Sequence, residues 1–110
     1  MSYPSHPLED LVIPVGTKPS NAIDKKKFRT ARALSIMPAV AAFDGTIVVQ
    51  GKGVDGVWRA VQVAEADLNV TAGDATLVDY PGRFEAVRLN SSLNEDPAMT
   101  AECQALYELD

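Results

Sequence analysis

The 110-residue chain is expected to be all-β: a single β-sandwich or jelly-roll-like domain over residues 28–110, preceded by an extended arm over residues 1–27. Three observations predict this. Short stretches rich in Val, Ile and Thr recur about every 8 to 14 residues with Gly, Pro and Asp turn signals between them, the rhythm of a sandwich. Neither an internal repeat nor a βαβ alternation is present. Four of the seven prolines, Pro4, Pro7, Pro14 and Pro19, crowd into the first 27 residues, where each removes an amide donor and extends the residue before it.

The arm is not a plain linker. "LEDLVIPVGT" carries Leu8, Leu11, Val12, Ile13 and Val15. A segment that cannot fold alone yet holds apolar anchors docks on something. "AIDKKKFR" places Lys25, Lys26 and Lys27 together, either as a solvated charge run or as a contact with an acidic partner. These eight residues are the expected partner-binding set.

Past Phe28, "TARALSIM" alternates in part, with Leu34 and Ile36 on one face, and Pro38 stops or bends it. "GTIVVQG" is a strand in which Ile47 and Val49 share a face. "VWRAVQV", "DLNVT" and "ATLVDY" follow, and "RFEAVRL" comes after the Pro81-Gly82 turn. "PAMTAECQALYELD" fits two patterns. Asp96-Pro97 could cap and open a helix with Met99, Cys103 and Leu106 as its stripe. The alternation of Met99, Ala101, Cys103, Ala105, Tyr107 and Leu109 fits a long strand, which we favour.

"GKGVDGVWRAV", residues 51–61, holds three glycines ahead of the chain's one tryptophan. It lacks the lysine, the Ser/Thr and the following helix of a phosphate loop. Val54 to Gly56 is expected to form a hairpin turn, because an Asp-Gly pair supplies positive φ. Gly51 and Gly53 are expected to bulge or end the first strand. Trp58 is expected to be a core anchor beside Ile47 and Val49.

The net charge of −5 is unevenly spread: residues 1–33 carry +3 and residues 34–110 carry −8. An acidic body with a basic arm fits an acidic protein neighbour better than nucleic acid. No apolar run approaches the ~20 residues of a membrane helix, and no secretory signal is expected from "MSYPSHPLED". Cys103 is the sole cysteine, so no internal disulfide is possible.

Reactive chemistry is sparse. His6 lies in the arm, and Cys103 is expected to be a reduced core residue. No His or Cys cluster has zinc spacing. Asp44, Asp55, Asp67, Asp74 and Asp79 sit mainly in turns and polar loops, where aspartate bonds local backbone. Neither a metal nor a cofactor is expected, and no enzyme activity. Arg88 falls within an apolar strand, where it either pairs with Glu85 or Glu102 or faces a partner.

"SIMPAVAAFDGTIVVQGKGVDGVWRAV" resembles a pattern of small structural proteins of tailed bacteriophages. The likeness rests on Ile36, Pro38 and Ala39, on Gly45-Thr46 opening a strand, and on Asp55-Gly56, Trp58 and Val61. "GRFEAVRLNSS" and the upstream "KPSNAID" extend it over roughly residues 17 to 92. The commoner pattern has serine before the Asp-Gly pair, where this chain has Val54. The resemblance to capsid decoration, or cement, proteins implies a β-sandwich that binds the major capsid protein, bridges its subunits and stabilises the shell. It implies a place on the virion surface, after assembly in the host cytoplasm, together with other copies of the chain and without direct nucleic acid or membrane contact. A small tail or head-tail component and a carbohydrate-binding jelly roll for adhesion are the competing readings.

Overall fold

Period-two burial runs through the long strands, and it is the side-chain alternation of extended backbone that lets one face be apolar. The computed structural model describes residues 5–39 and 43–107. The strands are β1 (Ser5–Pro7), β2 (Leu11–Ile13), β3 (Ile23–Asp24), β4 (Ala33–Pro38), β5 (Ile47–Lys52), β6 (Trp58–Ala60), β7 (Gln62–Val63), β8 (Ala66–Asp67), β9 (Thr76–Asp79), β10 (Ala86–Ser91) and β11 (Met99–Leu106). Leu34 and Ile36 of β4, Ile47 and Val49 of β5, Val87 and Leu89 of β10, and Ala101 and Ala105 of β11 are fully buried.

Pairing is nested. Strand β2 lies beside β11, β3 beside β10, β4 beside β9 and β5 beside β6, every pair antiparallel. The chain is thus one long hairpin rolled up, so that alternate pairs fall into two sheets. One sheet has the order β1–β11–β4–β9, with β2 also on β11, and the other β3–β10–β5–β6. This is a jelly roll, with the expected all-β sandwich core between its sheets. A small ribbon, β7 with β8, projects beyond β6.

The expected arm is corrected over residues 5–24. Ser5–Pro7 and Leu11–Ile13 run antiparallel along one edge of β11, and the Leu8 amide donates to the Cys103 carbonyl at 2.9 Å between them. A turn at Pro14–Thr17, with Gly16 at φ 76°, then carries the chain to the second sheet. There the Ser20 amide donates to the Leu89 carbonyl at 2.9 Å, and Ile23 pairs opposite Val87. Without this segment β10 and β11 would each present an open row of amides and carbonyls. The core would also lose Leu11, Ile13 and Ile23, all 0% exposed. The partner for those apolar anchors is therefore the chain's own body. Residues 1–4, Pro4 among them, and Leu109 of the C-terminal alternation lie outside the described residues.

The C-terminal ambiguity resolves as the strand. β11 is bonded on both sides, by β4 and by the N-terminal segment, and a helix could satisfy neither neighbour. The hairpin at residues 53–57 also forms. The Gly53 amide donates to the Val57 carbonyl at 3.0 Å, Gly56 takes φ 81°, and an Asp55 carboxylate oxygen accepts from the Val57 amide at 3.0 Å. Gly51 neither bulges nor ends β5. It lies within the strand because the Phe84 ring rests on it, leaving no room for a Cβ.

Candidate functional site

The hairpin register decides where Trp58 points. Trp58 stands opposite Lys52, and Ala60 opposite Gln50. Since Ile47, Val49 and Gly51 face the core, their neighbours Val48, Gln50 and Lys52 face outward, and Trp58 goes with them. The expected core anchor is thus corrected: Trp58 is half-buried on the outer face of the four-stranded sheet. Its ring is covered by cations. The Arg88 guanidinium lies 4.3 Å from the ring centroid, and the Lys52 ammonium 6.0 Å from it.

Arg88 enters from β10, where it pairs opposite Gln50. Its Nε donates to Gln50 Oε1 at 2.8 Å. Neither carboxylate considered for it in the sequence is its partner. Glu85 is 3.4 Å from Lys25 Nζ, and Glu102 lies on β11 of the other sheet. Among the described residues Arg88 and Lys52 form no salt bridge. Burial pushes the Arg88 pKa down from its ordinary value. A half-buried guanidinium without a counter-charge is unfavourable alone, and the Trp58 quadrupole and Gln50 offset only part of that.

The other side of the same hairpin holds a second stack. Arg83 lies over Phe84 at 4.4 Å, and both line an open hollow of about 250 Å³ with Gly51, Gly53, Arg59 and Gln62. Arg59 is engaged there by Asp55, with Nη2 to Oδ2 at 2.9 Å. The Arg59 hydrogen bonds and the Val57 amide bring the Asp55 pKa down to about 2.

Carboxylates do gather at one place, and they are consumed by backbone. Glu95 is 2% exposed. Its Oε1 accepts from the Asp44 amide at 3.2 Å; its Oε2 accepts from the Gly45 amide at 3.0 Å and the Ser91 hydroxyl at 2.8 Å. Asp44 Oδ2 in turn accepts from the Asp96 amide at 2.7 Å. The Glu95 and Asp44 carboxylates clamp two loops together. Sequence reasoning missed Glu95, since a glutamate in "SSLNEDP" carries no mark of burial. Among the described residues, no group of three His, Cys, Asp or Glu is placed to hold a metal ion.

The remaining candidates separate. His6 is exposed on β1, whereas Cys103 is buried, with its thiol pushed up to about 12 by burial and then by the Asp10 and Glu9 carboxylates. Of the expected partner-binding set, Leu11 and Ile13 are fully buried, Leu8, Val12 and Lys25 half-buried, and Val15, Lys26 and Lys27 exposed. Lys25–Lys27 form a 3-10 turn capped by Asp24, whose side chain accepts from the Lys26 amide at 2.9 Å. Arg29 joins Lys25 and Lys26 around a hollow of about 250 Å³ that Asp24 and Glu85 also line. Comparison with family models, with curated proteins and with solved structures finds no match to this chain.

Proposed function

We propose that this chain is a capsid decoration protein, a jelly-roll module that binds the shell of the major capsid protein and bridges its subunits on the virion surface. The observation that carries this reading is the exposed pair Lys26 and Lys27 on the basic turn, with Arg29 beside it, on an otherwise acidic molecule; Lys25 of the same turn is half-buried and paired with Glu85. Such a turn favours an acidic protein neighbour. The resemblance over residues 17 to 92 points the same way. The N-terminal segment contributes through its exposed members, Val15, Lys26 and Lys27, since Leu11 and Ile13 are engaged in the chain's own core. The carbohydrate reading loses its platform, because Arg88 and Lys52 occupy the Trp58 ring that a sugar would stack on.

The test is particle survival on heating, with copies per particle counted by gel densitometry. Shells lacking the chain should assemble yet burst at lower temperature. A Lys26→Glu/Lys27→Glu variant that folds normally should bind shells weakly and protect them little. A count near a dozen or fewer would move the protein to the portal or tail, and failure of heads to assemble without it would make it a scaffold. Equal protection by the variant would remove the basic turn from the contact.

A further inference from the structure

Each broad face of the sandwich carries charged side chains without an ionic partner among the described residues, cations on one and carboxylates on the other, and these cannot meet within one molecule; the one carboxylate in the cationic row, Asp24, accepts from the Lys26 amide. On the outer face of the four-stranded sheet, Arg88 and Lys52 flank Trp58 and have no carboxylate partner among the described residues. On the outer face of the five-stranded sheet, Glu102 stands opposite Met37 across the β11–β4 ladder. Asp10 and Glu102 line one shallow hollow with Pro7, Leu8 and Gln104. Glu9, Asp10 and Glu102 are exposed and form no salt bridge among the described residues. The acidic face also shows exposed apolar side chains, Met37 at 39% and Leu77 at 51%. The interior packed between the sheets, about 10 Å thick, keeps these faces apart in one copy.

We propose that the two faces dock on each other between copies of this chain, the Trp58–Arg88–Lys52 face of one copy receiving Glu102 and Asp10 of the next. Arg88 is prepared for this. Its Nε is held by Gln50 and its plane by Trp58, so only its two terminal nitrogens remain to meet a carboxylate, in the bidentate geometry that guanidinium favours. A second copy brings the required acid, and its Met37 offers the Trp58 edge an apolar neighbour. The contact joins two different faces, so it is heterologous: it closes into a ring or extends as a stack according to the tilt between copies. It needs no capsid, so its failure leaves the capsid reading standing, and the reverse.

The experiment is sedimentation velocity on the full chain across concentration and salt. The wild type should associate as concentration rises and dissociate as salt screens the pairs. Arg88→Glu and Glu102→Arg, each checked for native circular dichroism, should alone associate at least about tenfold more weakly. Their equimolar mixture should recover association, because each variant keeps one native face and the two altered faces complement each other. A wild type that stays monomeric at every concentration would overturn the proposal. So would variants that associate like the wild type, or a mixture that stays monomeric. Loss with Arg88→Glu but not with Glu102→Arg would overturn it in favour of another contact.

Discussion

Glu95 Oε2 accepts from the amide of Gly45 at 3.0 Å, beneath a surface where a Cβ at position 45 would collide with Ser91 and the Leu93 amide. The loop before β5 and the loop after β10 are thus held by one buried side chain. Glu95→Gln replaces one accepting oxygen with an NH2 that must face an amide or a hydroxyl. It should cost about 1–3 kcal/mol, read by denaturant unfolding with an unchanged m-value. A loss within experimental error would show that the loops are held by packing alone.

Gly51 carries the Phe84 ring. Gly51→Ala puts a methyl group into that ring and should cost about 1–3 kcal/mol through displacement of Phe84. Phe84→Leu in the Gly51→Ala background should recover part of the loss if the clash is its cause. Equal destabilisation with and without Phe84 would locate the cost in the strand backbone instead.

The β7–β8 ribbon turns through Ala64 and Glu65, both at positive φ, 52° and 68°. A two-residue hairpin needs such angles at both positions, and Asn-Gly supplies them with less strain. The double change Ala64→Asn/Glu65→Gly should raise stability by about 1 kcal/mol, seen as a higher Tm with the sheet signature intact. A lower Tm would mean that the two side chains make contacts worth more than the strain.

Cys103 should be inert to thiol reagents until the protein unfolds, because its thiol is buried and its pKa is raised from 9.0 to about 12. A raised thiol pKa means that the unfolded chain ionises first. The stability this residue contributes is therefore complete below pH 9 and is lost as pH rises from 9 towards 12. Chemical denaturation across that range should show a steeper decline for the wild type than for Cys103→Ala. Parallel declines would assign the alkaline loss to other groups.

The fold class, the hairpin at residues 53–57 and the buried faces of the long strands are legible along the chain. These follow from local causes: alternation at period two, β-branched composition, and a glycine where positive φ is required. The sequence also shows that "LEDLVIPVGT" is too apolar to float. What those anchors cover follows from long-range pairing, because β10 and β11 lie about 60 to 90 residues further along the chain and their open edges leave no mark near residue 11. Trp58 turned outward for a similar reason. Its face depends on the register set by Lys52 across the turn, and a shift of one residue would have buried it. Glu95 and Arg88 were decided in the same way. A buried glutamate needs amides from a loop some 50 residues earlier, and an arginine on a strand takes its meaning from the tryptophan that folding brings beneath it.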